Sequence, residues 1–167
     1  GSKGPGNNGG QGNPQNPDGY PTDYLWEQIL QRDHLMDVFQ RFMNLEVKKD
    51  KQDGKEISKK TLIFPRYHQL DVVRKLIADV KMKGSGENYL IQHSAGSGKS
   101  NSIAWLAYHL ASAHDKEDHP IFASTIIVTD RTVLDRQLQN TIMSFDHTTG
   151  LVETIDHSKS SQDLKNA

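Results

Sequence analysis

Tyr89-Leu90-Ile91-Gln92-His93-Ser94-Ala95-Gly96-Ser97-Gly98-Lys99-Ser100-Asn101-Ser102-Ile103 is the stretch that decides how this chain is read. Tyr89-Leu90-Ile91 is apolar and predicts the end of a buried strand. Ile103, Leu106, Ala107 and Leu110 recur at helical spacing and predict the buried face of a helix. A glycine-rich loop ending in Lys-Ser between strand and helix is the layout of a P-loop. Its glycines let the backbone turn tightly, so that several N–H groups point into one concavity. The helix N-terminus adds partial positive charge where a phosphate would sit. Lys99 would reach the β- and γ-phosphates, and the Ser100 hydroxyl would ligate Mg²⁺. One position departs from the strict pattern, which opens on glycine where this chain has His93. A bare Gly-Ser-Gly-Lys-Ser string also occurs in flexible linkers; the flanking strand and helix argue against that here.

The rest of the chain frames this loop. Its 167 residues suit one domain of ordinary size, but both ends are polar and the hydrophobic fraction is only 34%, so the core is expected in the middle. With 20 basic and 21 acidic side chains, no global positive field advertises nucleic acid. There is no cysteine, which excludes disulfides and thiolate zinc sites. No apolar run approaches the roughly 20 residues that span a bilayer, and no signal peptide is visible, so the expectation is a cytoplasmic protein without membrane partners. The opening Gly-Ser reads as an expression scar on a piece of a longer protein.

Residues 1–19 are Gly, Asn, Gln and Pro with almost nothing apolar, which predicts a disordered linker. Leu25, Trp26, Ile29 and Leu30, then Leu35, Val38, Phe39 and Phe42, predict two short helices, with Asp33 between them as N-cap. Asp53-Gly54 is a turn signal between Lys-rich, partly alternating segments and predicts an exposed hairpin. Its lysines (Lys48, Lys49, Lys51, Lys55, Lys59, Lys60) suit a solvated edge that resists aggregation better than a phosphate-binding patch. Leu70, Val73, Leu76, Ile77 and Val80 predict a helix over Tyr67 to Lys83, closed by Gly84-Ser85-Gly86. After the loop helix and a charged loop to Pro120, Ser124-Thr125-Ile126-Ile127-Val128-Thr129 predicts a second buried strand. Leu134, Leu138 and Ile142 mark a helix, and Leu151 to Ile155 a possible third strand. Strands alternating with helices predict an α/β fold with a parallel sheet and right-handed crossovers.

Before the loop strand stands Phe64-Pro65-Arg66-Tyr67-His68-Gln69. A Gln amide pairs with N6 and N7 of adenine, and a nearby aromatic ring can stack on the base. On these residues the chain resembles superfamily 2 helicases and translocases, in which a Gln motif precedes the P-loop. More narrowly it resembles the R subunit of type I restriction enzymes, an ATP-driven motor and nuclease. The matching stretches are Gly19-Tyr20-Pro21-Thr22-Asp23-Tyr24-Leu25-Trp26-Glu27, the Gln motif, His93-Ser94-Ala95-Gly96-Ser97-Gly98-Lys99-Ser100, and Val128-Thr129-Asp130-Arg131 with Leu134-Asp135-Arg136-Gln137-Leu138. That subunit family uses His at the first P-loop position, as His93 does here.

The resemblance implies that residues 65–167 open a first RecA-like domain, and that residues 20–64 connect it to an upstream nuclease domain. Gln69, Arg66 and Tyr67 would form the adenine site. Ala95, Gly96, Ser97, Gly98, Lys99 and Ser100 would hold the triphosphate, with Mg²⁺ on Ser100. Asp130 and Arg131, with Arg136, would contact double-stranded DNA; independently, open α/β sheets bind ligands beyond strand C-termini. Methyltransferase and specificity subunits would be the protein partners. No catalytic residue is expected in this stretch, because no Walker B acid follows the loop and no arginine finger is present.

Other readings of single features are weaker. Pro17-Asp18 with Glu46-Val47-Lys48 spells a nuclease signature, but the first pair lies in linker composition. His109, His114 and His119 recur every five residues, a spacing that does not align them on a helix for metal. His68 and His93 would stand near the nucleotide, with His93 shaping the loop. The alternatives at this level are another superfamily 2 DNA helicase, a P-loop small-molecule kinase, which Gln69 argues against, and a non-catalytic interaction fragment.

Overall fold

The computed structural model describes residues 16–52, 55–129 and 138–143. The Asp53-Gly54 turn, Asp130, Arg131, Leu134, Arg136, the segment Leu151 to Ile155 and most of the expected linker lie outside these residues. The order of elements is a single π-helical turn (Leu25–Ile29), α1 (Arg32–Arg41), β1 (Asn44–Gln52), β2 (Lys55–Ile63), α2 (Tyr67–Lys83) and α3 (Lys99–Ala111). Residues 138–143 are also helical.

Both expected short helices are present, the first in a different form and the second with a different residue at its start. The first is a wide turn closed by the bond from Leu30 N to Leu25 O (2.7 Å). The wider turn points Ile29 into the core and leaves Leu25, Trp26 and Leu30 exposed. The chain re-enters a helix at once, so Gln31 is the residue before α1 and Asp33 falls inside the first turn. There its charge meets the positive end of the helix dipole instead of capping it.

β1 and β2 pair antiparallel from Asn44↔Ile63 to Gln52↔Lys55. That register leaves two residues for the turn, as an Asp-Gly hairpin requires. The root of the hairpin joins the core: Asn44 is buried and Ile63 packs against the central cluster. Leu45, Val47, Ile57 and Leu62 are exposed further out.

The core is built where α1, α2 and α3 meet. Val38 from α1 and Phe42 just after it, Leu70 and Val73 from α2, and Ala104 and Trp105 from α3 are all buried, with Ile29 beside them. Trp105 is its largest member; its indole N–H donates to the Phe42 carbonyl at the end of α1 (2.9 Å), so the buried polar atom is satisfied. Arg74 of α2 ties back to α1, donating to the Asp37 carboxylate at 2.7 Å and to His34 O at 3.2 Å, with its guanidinium 5.9 Å from the centre of the Phe42 ring.

Helix α2 has the extent its pattern predicts, ending at Gly84, whose φ of +78° only glycine adopts cheaply. In α3 the buried face is turned from the expected one: Ser102, Trp105 and His109 point inward and Ile103 is exposed. This helix is apolar on several sides, so its pattern does not choose a face, and the large indole follows Phe42. Among the described residues the only ladder is β1–β2. The segments expected as buried strands are not so here: neither residues 89–91 nor 124–129 pair, and Leu90 and Val128 are 95% and 89% exposed. A parallel strand is buried only with helices on both faces and paired neighbours, and α2 and α3 pack on α1 and each other instead. No described helix is long and apolar enough to cross a membrane.

Candidate functional site

The loop at residues 93–98 is held between the start of α2 and the start of α3. Gly96 and Gly98 have φ of +72° and +83°, so the two glycines sit where the backbone needs them. Gly98 immediately precedes α3 and accepts from Asn101 N (3.1 Å) and Ser102 N (3.3 Å). The intrahelical bonds begin there, which leaves Lys99 N and Ser100 N at the positive end of the helix, outside that ladder.

Gln69 locks this loop to α2. Its Nε2 donates to Gly98 O (2.8 Å) and Ser97 O (3.3 Å), and its Oε1 accepts from Arg66 N (2.8 Å). These partners fix which end of the amide is which. Gln69 is also the third residue of α2, so its carbonyl oxygen caps the helix start while its NH₂ holds the loop. Gly98 makes the approach possible, since a Cβ there would run into Gln69 Nε2. His68, the neighbouring residue, places Nε2 3.1 Å from Ser97 O.

His93 stands edge-on to His68 with ring centres 5.2 Å apart. Burial lowers its pKa, and nearby His68 and Lys99 push the same way, so its ring is neutral at physiological pH. Lys99 reaches back across the loop, donating to Ser94 O (2.9 Å) and His93 O (3.3 Å). Ser97 is buried, and its hydroxyl has no partner among the described residues.

The residues named from the sequence therefore divide. Gln69, Ser97, Gly98 and Lys99 converge, with Ala95 and Gly96 exposed on the loop and Ser100 half-buried in the first turn of α3. Arg66 is exposed at the head of α2. Tyr67 turns toward Tyr24, ring centres 5.2 Å apart, and its hydroxyl pKa is raised by burial and by Asp71. Asp130, Arg131 and Arg136 lie outside the described residues. Sequence reasoning missed the double anchoring of Gln69 and the His68–Ser97 contact. An acceptor-and-donor side chain at the third helical position was the available signal for the first.

A family model described as SWI2/SNF2 ATPase matches residues 68–167. The chain belongs to the SWI2/SNF2 ATPase family. The match begins at the Gln69 segment and runs through the loop, so the two halves of the site fall inside this helicase-like ATPase domain of superfamily 2. No curated protein and no solved structure matches the chain. The loop suits the nucleotide that such an ATPase uses: two positive-φ glycines curve it, Ser97 holds a buried hydroxyl with no partner among the described residues, and Lys99 stands at the first position of α3.

Proposed function

We propose that this chain is the leading part of the first RecA-like motor domain of a type I restriction enzyme R subunit. In the parent, ATP binding at this loop drives translocation along double-stranded DNA and cleavage, in company with methyltransferase and specificity subunits. The observation that carries the nucleotide reading is the bond pair from Gln69 to Ser97 O and Gly98 O, which joins the Gln motif to the P-loop in one site. His93 in the first loop position and the order of the motifs along the chain support the narrower family.

The backbone around residues 95–100 would surround the phosphates, Lys99 would neutralise their charge, and Ser100 would hold Mg²⁺. Bound ATP–Mg²⁺ supplies the phosphoanhydride that is broken. Gln69 would read adenine by exchanging its bonds to Ser97 O and Gly98 O for the base, with Arg66 and Tyr67 beside it, and Asp130, Arg131 and Arg136 would meet the DNA backbone.

Titration of the chain with ATP–Mg²⁺ and GTP–Mg²⁺ tests this. ATP should bind more tightly, and Gln69→Ala should erase the difference. Equal affinity for ATP in wild type and Lys99→Ala would refute nucleotide binding at the loop. In the parent with its partner subunits, Lys99→Ala should abolish ATP-dependent cleavage of DNA; full cleavage by that variant would refute the motor assignment.

A further inference from the structure

At the other end of the α2–α3 pair from the loop is an open cavity of about 230 Å³. Phe42, Val73, Ile77 and Ala78 give it apolar walls. Its charged groups are Arg41 and Asp37 from α1 and Arg74 and Lys81 from α2, three cations against one carboxylate. Asp37 is already shared, 2.7 Å from Arg74 and 3.8 Å from Arg41. Lys81 makes no ion pair among the described residues. The cavity therefore carries surplus positive charge beside a hydrocarbon wall.

His109 of α3 completes the lining. It is 6% exposed, lies 4.8 Å from the Phe42 ring centre, and its Nε2 is buried with no hydrogen-bond partner among the described residues. Buried polar atoms are normally satisfied, so an orphan at a cavity marks a place for a ligand atom. Neither the Gln69–loop site nor the core packing uses this nitrogen.

We propose that this cavity binds a small arylcarboxylate, its ring against Phe42, Val73 and Ile77 and its carboxylate among Arg41, Arg74 and Lys81, with a small turn of the buried His109 ring bringing its Nε2 within reach for a further hydrogen bond. Size agrees: an enclosed cavity of about 150 Å³ accepts benzene, and this one, about 230 Å³ and open to solvent on one side, has room for a ring whose carboxylate stays at the mouth. A bare inorganic anion would lose its water against the apolar wall without gaining contacts from it. A neutral aromatic would leave the surplus cations unused.

Phenylacetate, phenylacetamide and inorganic phosphate are the probes, titrated into the full chain while the His109 ring signals are followed by NMR. Phenylacetate should shift those signals saturably. Phenylacetamide should bind at least about fivefold more weakly, and so should phenylacetate to Lys81→Ala, a change at an exposed and partly screened cation. Phosphate should leave the ring signals in place, and saturating ATP–Mg²⁺ should not displace phenylacetate. The proposal is overturned if phenylacetate gives no saturable shift, if phenylacetamide or phosphate matches it, if Lys81→Ala binds as well as wild type, or if ATP competes.

Discussion

Acid should loosen this fold through one imidazole. Burial pushes His109 down to about 4 from an ordinary 6.5; Asp37 pulls it partly back, while Arg41, Lys81 and Arg74 push the same way as burial. The unfolded chain takes a proton on this residue as pH falls through 6.5, and the folded chain resists it until about pH 4. Stability is therefore whole above 6.5, falls across that window, and is level again below it. Each pKa unit is worth about 1.4 kcal/mol, so the full loss is about 3 kcal/mol, and about 2 kcal/mol is already lost at roughly pH 5. That is a large share of the ~5–15 kcal/mol that holds a typical domain together. The perturbation is His109→Phe, which keeps a ring beside Phe42 and has the neighbouring cavity to expand into. Urea unfolding near pH 7.5 and near pH 5 should show the variant losing about 2 kcal/mol less than wild type over that interval. His93 is depressed in the same direction and titrates in both proteins, so it cancels in the difference. Equal acid sensitivity in the two proteins would refute the reasoning.

Further outcomes follow from the loop and the core. Lys99→Ala removes a charge-assisted contact worth about 1.5–3 kcal/mol, so calorimetry should find ATP–Mg²⁺ bound about tenfold or more weakly. Gly98→Ala puts a Cβ against Gln69 Nε2 at positive φ and should weaken ATP binding and stability together, whereas Gly96→Ala meets no atom within 4 Å and should show only the backbone strain, about 1–2 kcal/mol. Trp105→Ala empties the centre of the core and should cost about 3–5 kcal/mol in urea unfolding. A loss below about 1 kcal/mol there would mean that the three helices do not pack around the indole.

What could be read in the residues alone follows a pattern. Helix α2 was legible because Leu70, Val73, Leu76 and Val80 repeat on one side and Gly84 stops the helix. The hairpin was legible because its two arms flank an Asp-Gly pair. The loop was legible because its chemistry is local: glycines, then Lys99, then a helix. Long-range choices were not. Helix α3 carries Ile103, Leu106 and Leu110 on one side and Ala104 and Trp105 on another, and only the position of Phe42 decides between them. The β-branched run from Thr125 to Thr129 has strand propensity, but a strand needs a partner, and propensity does not supply one. Gln69 showed a residue type suited to adenine, while the bonds to Arg66 N and Gly98 O depend on where the third residue of α2 meets a loop far along the chain.

The two tryptophans occupy opposite environments: Trp105 is sealed beneath Phe42, and Trp26 is half exposed on the π-helical turn. Their fluorescence should separate accordingly. Iodide, which stays in water, should quench Trp26 and leave a blue-shifted emission from Trp105 that reports on the helical core alone. Ligand titrations at either end of the α2–α3 pair thereby gain an optical readout that needs no label, and a red shift of the iodide-resistant component would signal that the core, not the surface turn, has opened.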